Sequence, residues 1–470
     1  MKHHKHWLAG ITALLLGGCA TFSDDGGTRN VNEALNSRGI TQQAPWIKND
    51  ADAARAGDQV RALLAQPLTA ESAVQIALLN NRGLQAAYAE LGIAEADLVQ
   101  AGRMRNPGFS FSRKHRGEVV EYERAFIFDL LGLLTMPLRT QIEGERFQLA
   151  QHRITAEILQ VAADTRRAWA GAVAAQQTAV YAEQVRSAAE AAAELARRMA
   201  LAGNFSKLDQ AREQAFYAEA TAQLARSRQA ALAAREQLTR LLGLWGNDIA
   251  YRLPERLPEL PASPRDMPDI ERQAMQQRLD VQEAMQDATN LANSLGLTKT
   301  TGWFSLLEVS YLRNSESGEP RQTGYEIELR LPIFDFGTAK VARAEHSYIQ
   351  AVNRAADLAV RARSEVREAY GAWRTAYDLA RHYREEVVPL RARISEETLL
   401  RYNGMLMSVF ELLAETRQQV GAVIGAIDAQ RDFWIADATL QLAINARSPG
   451  AIAAPGGAMR AAAPAAGGGH

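Results

Sequence analysis

The chain has 470 residues, with 53 basic and 54 acidic side chains and a formal net charge of −1. This balance argues against a nucleic-acid-binding protein, which would carry a surplus of basic residues. No proline lies between Pro137 and Pro254, and alanine is abundant in that interval. Such a composition is typical of very long helices rather than of a packed α/β enzyme, so it favours an elongated helical protein without catalytic activity.

Residues 1–18 are predicted to be a signal peptide. Lys2 and Lys5 precede an apolar run at 8–16, which is too short to span a bilayer. The run ends in Leu-Gly-Gly-Cys, and Cys19 is the only cysteine of the chain. The tetrad resembles the lipobox of bacterial lipoproteins, which makes Cys19 the predicted lipidation site. Because Ala20 rather than aspartate follows, the same resemblance implies the outer membrane; the alternative is an ordinary signal peptide with an incidental cysteine.

After a lipidated segment at 19–67, the sequence contains two copies of one unit, at 68–244 and 267–446. Gly203 matches Gly404 and Leu208 matches Val409, both at a separation of 201 positions.

Two further segments lie outside these copies. The proline-rich stretch at 245–266 is predicted to be a connector. The tail at 447–470 is rich in Ala, Gly and Pro and is predicted to be disordered.

Each unit is predicted to contain a helix, a strand pair, a very long helix, a tight break and a second helix. Thr69 is an N-cap candidate in the first unit, and the Asn-Pro-Gly at 106–108 ends the first helix. A strand pair is predicted at 109–134. Turn-forming residues at 114–118 and, in the second unit, at 315–320 make each strand pair a hairpin.

The last strand of the second unit alternates between two kinds of residue. One face is apolar and the other charged: Tyr325, Ile327, Leu329, Leu331 and Ile333 against Glu326, Glu328 and Arg330. A barrel strand with lipid outside and water inside gives this pattern, but so does a half-buried strand of a soluble sheet. Four strands are too few to close a membrane barrel, so lipid-facing strands would have to come from several chains.

The long helices are predicted at 138–202 and 338–402, each about 100 Å at 1.5 Å per residue. Gly371 and Pro389 are kink candidates in the second. The returning helices carry small and apolar residues at three-four spacing, which predicts left-handed coiled-coil packing. A helical bundle or a filament would share these features, but it leaves the hairpins, the signal peptide and the duplication unexplained.

Motifs for catalysis or metal binding are absent from the sequence. It contains no phosphate-binding glycine loop, no His-Glu-x-x-His and no Cys–His cluster. Met405 and Met407 would suit Cu(I), but adaptable packing is the favoured interpretation. We therefore predict no enzymatic activity, no cofactor and no bound metal; paired acidic residues are the sole support for a cryptic enzyme.

Five segments together resemble the TolC-like outer membrane efflux proteins, specifically their lipoprotein branch. The segments are Leu68–Ala73 with Asn80–Leu84, Asn106-Pro107, Leu331–Gly337, and the two turns at 202–209 and 402–413. The resemblance covers residues 68–446. It implies a mainly α fold with a small β part, in which a trimer pools twelve strands into an outer membrane β-barrel continued by a long periplasmic α-helical barrel.

The same resemblance implies a passive exit duct that works with a periplasmic adaptor (membrane fusion) protein and an inner membrane transporter. The predicted site residues fall into three sets: the barrel lumen (Glu326, Glu328, Arg330), the tip turns (Gly203, Asn403, Gly404) and the periplasmic gate (Asp209, Glu411, Glu415). The sequence departs from the family in that Tyr402 is one residue closer to Gly404 and Ala414 replaces a common aspartate. A solvated helix face is the alternative for the gate acids.

Other functions stay open at this point. A periplasmic coiled-coil scaffold lipoprotein would share the long helices, and a type I protein secretion duct would share the whole architecture. The cargo of an exit duct is equally open between drugs, metal ions and polypeptides.

Overall fold

The computed structural model describes residues 21–42, 44–301, 307–329 and 334–450. The chain is mostly helical with one small antiparallel sheet, which confirms the predicted mainly α class. It divides into two compact units. The sheet unit comprises the described residues up to Ala34, Ala86–Thr155 and Leu279–Val360, and the helical unit comprises the described residues of Leu35–Gln85, Ala156–Arg278 and Arg361–His470.

The described ranges contain α-helices that we number in chain order. They are α1 (Thr28–Asn36), α2 (Asp50–Leu64), α3 (Ala70–Asn80), α4 (Arg82–Ala101), α5 (Leu130–Leu201), α6 (Lys207–Leu242), α7 (Ile270–Gln277), α8 (Leu279–Thr301), α9 (Thr338–His382), α10 (Val388–Asn403) and α11 (Val409–Asn445). A short 3₁₀ turn spans Gly246–Ile249, and one π-helical turn, Tyr383–Val387, joins α9 to α10.

The sheet has four antiparallel strands in the order β1-β2-β3-β4, which are β1 (Gly108–Arg116), β2 (Val119–Asp129), β3 (Leu307–Glu316) and β4 (Gln322–Leu329). Arg116 pairs with Val119, so Gly117 and Glu118 form a two-residue turn. Gly117 has φ +60°, a conformation that tight hairpin turns require. The predicted hairpins are present, although the first strand pair ends at Asp129 rather than at residue 134.

The first helix of the first repeat copy, at 68–244, differs from the prediction because it is broken into α3 and α4. Thr69 caps α3 as predicted, since its hydroxyl accepts the Ser72 N–H at 3.1 Å. Asn81 is extended and its side chain accepts the N–H groups of Gly83 at 2.9 Å and Leu84 at 3.2 Å. An asparagine that satisfies the first amides of a new helix also ends the preceding one.

The two long helices also differ in detail from the prediction. Helix α5 begins at Leu130, eight residues early, because the Asp129 carboxylate accepts the Gly132 N–H at 2.6 Å and caps it. In the second repeat copy, Gly371 lies inside unbroken α9. The irregular turn at 383–387 ends two residues before Pro389. Proline lacks an N–H and clashes with the carbonyl four residues earlier, so it displaces the regular hydrogen bonds of that turn.

An aromatic cluster forms the core of the helical unit. Trp373, Tyr377 and Phe433 are fully buried, with ring centroids 5.7 to 6.4 Å apart. The indole N–H of Trp373 donates to Asp437 at 3.1 Å, so the polar atom of the largest buried ring is satisfied. This cluster holds α9 against α11.

The end of α6 depends on a glycine. Gly243 has φ +64°, and the Asn80 side-chain amide donates to the carbonyls of Leu242 at 3.2 Å and Gly243 at 2.7 Å. A Cβ atom on Gly243 would lie 2.9 Å from the Asn80 carbonyl oxygen. The turn therefore excludes a side chain on both conformational and steric grounds.

We expect Gly243→Ala to lower the free energy of unfolding by about 2 kcal/mol, from left-handed strain and overpacking. Chemical unfolding of the purified protein checks this. Gly171→Ala is the control, because Gly171 lies within α5 with open space at its Cβ position and alanine favours a helix interior by about 1 kcal/mol. Equal effects of the two substitutions on the free energy of unfolding would contradict the requirement for glycine at position 243.

Candidate functional site

One face of the sheet is apolar over the half nearer the helices and is not covered by any described part of the chain, while Arg113, Arg124 and Arg313 share this face nearer the hairpin turns. The pairing register aligns Phe109, Phe126, Tyr311 and Tyr325 in one row across all four strands. Phe109 and Phe126 contact each other with ring centroids 5.1 Å apart, yet the outer edge of the row is open, with Tyr325 79% exposed. The other exposed apolar residues on this face are Phe111, Phe128, Ile327 and Leu329.

The opposite face is polar. It carries Ser110, Ser112, Lys114, Glu121, Glu123, Glu308, Ser310, Asn314, Glu326 and Glu328. Lys114 pairs with Glu123 at 2.6 Å, and Glu328 lies directly opposite Glu308. Each of the four strands contributes charged side chains to this face, which suits contact with water. The predicted alternation at Glu326 and Glu328 is present, whereas Arg330 and the segment 331–333 lie outside the described residues.

The sheet has two open edges, β1 and β4. Because all neighbouring strands are antiparallel and the sheet has four of them, β1 and β4 run in opposite directions. Within the described residues neither edge has a further strand partner, and such edges present unpaired N–H and C=O groups. The edges of two copies could therefore pair in the antiparallel manner.

The α5–α6 turn is held by short-range capping. Gly203 has φ +78°, and the Asn204 N–H donates to the Met199 carbonyl at 3.0 Å. Ser206 caps α6 by accepting the Asp209 N–H at 3.1 Å, and its hydroxyl donates to the Asp209 carboxylate at 2.5 Å. Arg212 pairs with the same carboxylate at 3.2 Å, so the predicted gate residue Asp209 has local partners.

The α10–α11 turn has the left-handed residue one position later than the repeat predicts. Gly404 has φ −78°, and Met405 has φ +58° instead. The Leu406 N–H closes the turn by donating to the Arg401 carbonyl at 2.9 Å, and Asn403 is the last residue of α10. A left-handed methionine costs about 1 kcal/mol, and the Met405 side chain is 93% exposed, so nothing within the described chain compensates this strain through packing.

Glu411 and Glu415, the other gate candidates, also have local partners. Glu411 closes a capping box in which its carboxylate accepts the Ser408 N–H at 3.0 Å. This hydrogen bond, with one from the Ser408 hydroxyl, lowers the pKa of Glu411. Glu415 pairs with Arg391 at 3.4 Å and is mostly buried. These contacts give the acids a role in the local structure of α10 and α11.

Glu213 and Arg417 form an ion pair that the sequence analysis did not detect. Glu213 on α6 has a side chain only 3% exposed, and its carboxylate lies 3.2 Å from the Arg417 guanidinium on α11. That guanidinium also lies over the Phe216 ring at 4.3 Å. The second oxygen of Glu213 and the Nε of Arg417 are buried and have no hydrogen-bond partner in the part of the chain that the structure describes. Since 204 positions separate the residues, no local pattern could have paired them.

The Glu213 pair predicts a pH dependence. Burial raises the pKa of Glu213, against the opposing effect of Arg417. A raised pKa means that the folded protein favours the protonated form. This contribution to stability is fully present below the pKa of unfolded glutamate and is lost as the pH rises through the raised folded value. We expect Glu213→Gln to be more stable than wild type above that value and to lose this part of the pH dependence.

Unfolding of Glu213→Gln and wild type across about pH 4 to 8 checks this expectation. Glu219→Gln is the control, because Glu219 is an exposed residue on the same helix that pairs with Arg226. Parallel pH profiles of the free energy of unfolding for wild type and Glu213→Gln would contradict the expected role of Glu213.

The comparisons with known proteins bear on these features. No family model and no curated protein sequence matches the chain. Among solved structures, the chain is similar to a membrane protein from Pseudomonas aeruginosa, with 19% identity, a TM-score of 0.68 and coverage of 82% of this chain and 93% of that one. It is also similar to the CmeC outer membrane channel of Campylobacter jejuni, with 17% identity, a TM-score of 0.65 and coverage of 83% and 85%.

A third similar structure is the open state of the MtrE outer membrane channel of Neisseria gonorrhoeae, with 17% identity, a TM-score of 0.63 and coverage of 82% and 88%. The chain has the TolC-like outer membrane channel fold. The resemblance stated from the sequence is thereby confirmed at the level of fold, and the structures that share this channel fold are channels rather than enzymes.

Two further observations concern membrane and metal. Within the described ranges, no helix of the channel fold combines the length and apolar character that a bilayer crossing requires. The described residues also contain no group of three or more His, Cys, Asp or Glu side chains placed to hold a metal ion. The lipidation candidate Cys19 lies outside the described residues.

Proposed function

We propose that the protein is the outer membrane exit duct of a tripartite efflux system, through which exported solutes pass passively. The observation that carries the proposal is that the sheet has one apolar and one charged face. Its open aromatic and aliphatic face suits contact with lipid, and its charged face suits a water-filled lumen with Glu326, Glu328 and Arg330 in the lining. A soluble sheet would cover the apolar face with another element of the chain.

The duct is a homotrimer in this proposal. Strands of eight to eleven residues match the length that a tilted membrane strand needs. Three copies would supply twelve strands, with β1 of one copy pairing antiparallel to β4 of the next, which removes the open edges. The helices would continue the duct as a periplasmic α-helical barrel.

The order of the elements supports the duplication that we infer from the sequence. In the first copy the elements run α3, α4, β1, β2, α5, α6; in the second they run α7, α8, β3, β4, α9 with α10, α11. The boundaries 68–244 and 267–446 bracket these two series, and the segment 245–266 carries one short 3₁₀ turn among its residues. We also propose a signal peptide at 1–18 and a lipidated segment at 19–67 anchored through Cys19. The predicted tail at 447–470 begins with contacts, since Arg447 donates to Glu157 at 2.9 Å and Ser448 to Glu365 at 2.9 Å, and residues 451–470 lie outside the described residues.

The proposed partners are a periplasmic adaptor protein and an inner membrane transporter. The two turns that would meet an adaptor expose apolar side chains: Leu201, Leu208, Met405 and Leu406. An exposed apolar residue in a strained backbone conformation, as at Met405, is typical of a binding surface. We keep Asp209, Glu411 and Glu415 as proposed gate residues near Gly203, Asn403 and Gly404, acting beside the Glu213–Arg417 pair.

Conductance of the purified full-length protein in planar bilayers tests the proposal. We expect discrete conductance steps from a species whose mass in detergent is that of a trimer. Cys19→Ser should abolish lipidation yet still form channels, because the sheet would insert by itself. A water-soluble monomeric rod without conductance would instead support a periplasmic scaffold and overturn the duct.

A further inference from the structure

A polar pocket of about 460 Å³ lies in the sheet unit beside the strands. It is formed by the last turns of α4, the loop that follows α4 and the first turns of α5. On α5 its lining residues recur at three-four spacing from Gly132 to Arg146, so they share one face of the helix. We call this cavity the arginine pocket, because Arg103, Arg105, Arg139 and Arg146 line it.

The arginine pocket carries more positive than negative charge. Its four arginines face two acidic lining residues, Asp97 and Glu143. Arg146 pairs with Glu143 at 2.6 Å, and Arg105 pairs with Asp129 at 3.2 Å.

The guanidinium groups of the other two arginines, Arg103 and Arg139, form no hydrogen bond or ion pair with another described residue. Two unpaired guanidinium groups in one cavity match a phosphate oxyanion, which arginine binds with two parallel hydrogen bonds.

The position of the arginine pocket indicates the source of the phosphate. The loop after α4 leads directly into β1, α5 begins at the residue after β2 ends, and the Arg105–Asp129 pair ties the loop to that strand end. Met104, which lines the pocket, is half exposed. An exposed apolar side chain next to unpaired guanidinium groups, at the end of a sheet with an open apolar face, fits the boundary between acyl chains and headgroups.

We propose that the arginine pocket binds the phosphate of an anionic phospholipid headgroup through Arg103 and Arg139, with an acyl chain against Met104. The inference rests on the proposed function only in that it requires the sheet to lie in a bilayer. It goes beyond that function by assigning a lipid site at the helix-proximal end of the strands. A free phosphate ion offers the same oxyanion chemistry and is separated from the lipid by the experiment.

The test uses the purified full-length protein in a neutral detergent, titrated separately with phosphatidylglycerol, phosphatidylcholine and inorganic phosphate. The thermal unfolding midpoint reports binding, since a ligand that binds the folded state raises it. We expect phosphatidylglycerol to raise the midpoint of wild type. The double variant R103Q/R139Q should show an apparent affinity for this lipid about 30-fold lower, from the loss of two charges. R103K/R139K retains the charges and should keep most of the affinity.

The matched control is R153Q/R354Q, which removes two exposed arginines of α5 and α9 outside the pocket. It should respond to phosphatidylglycerol as wild type does. Equal responses of R103Q/R139Q and the control would overturn the site. A response of wild type to inorganic phosphate as strong as that to phosphatidylglycerol would overturn the lipid assignment, and an equal response to phosphatidylcholine would overturn the role of headgroup charge.

Failure of this inference is distinguishable from failure of the duct. Conductance of R103Q/R139Q in bilayers of phosphatidylcholine alone reports the channel without the lipid ligand. If the variant forms channels in this bilayer and binds phosphatidylglycerol as wild type does, the lipid site is excluded and the duct proposal stands. Absence of channels for wild type in every bilayer would remove the duct itself.

Discussion

Ile327→Arg is expected to lower the stability of the membrane-inserted protein by about 2–4 kcal/mol, the cost of an arginine on the lipid face of a barrel near the bilayer midplane. Ile327 pairs with Val309 across the strands, and its side chain lies on the same open face as Tyr325 and Leu329. The effect would be measured as the change in folded trimer fraction with denaturant in liposomes.

The control for this prediction is the neighbouring residue on the other face. Glu326→Arg, opposite Ser310, should be tolerated and should shift ion selectivity toward anions, because the side chain faces water in the proposed duct. Equal tolerance of arginine at 326 and 327 would exclude a lipid-exposed strand. Equal intolerance would indicate a sheet buried on both faces.

Glu365→Ala is expected to lower the free energy of unfolding by about 3 kcal/mol, because it removes a carboxylate that is paired with a fully buried guanidinium. Arg278 is 0% exposed, and it donates to the Glu365 carboxylate at 2.5 Å and to the Ala362 carbonyl at 3.4 Å. The pair connects the α7–α8 junction to α9 within the helical unit. Chemical unfolding of the purified protein measures the loss.

The matched control for Glu365→Ala is Glu271→Ala. Glu271 pairs at 3.0 Å with Arg367, but both side chains are about half exposed, so its loss should cost less than about 1 kcal/mol. The double variant Arg278→Met with Glu365→Leu should recover part of the loss, since it removes both charges together. A Glu365→Ala variant as stable as Glu271→Ala would show that the carboxylate does not compensate the buried arginine.

Local sequence determined those features whose physics is local. Alternation of apolar and charged residues fixed the two faces of β4, because successive side chains of a strand point in opposite directions. The hydroxyl of Thr69 and the glycine of the β1–β2 turn have roles that a few neighbouring residues define. The long helices followed from alanine and the scarcity of proline, although capping by Asp129 started α5 before Pro137 and Pro389 disrupted the regular hydrogen bonds at 383–387.

The tertiary structure alone decided the contacts between distant parts of the chain. Glu213 with Arg417, and Arg278 with Glu365, are paired by helices that meet only after folding, so neither pattern nor spacing could match them. The arginine pocket likewise needs α4, a loop and α5 together. Periodicity sets which face of an element is apolar, whereas packing sets which charged groups lose water and must find partners.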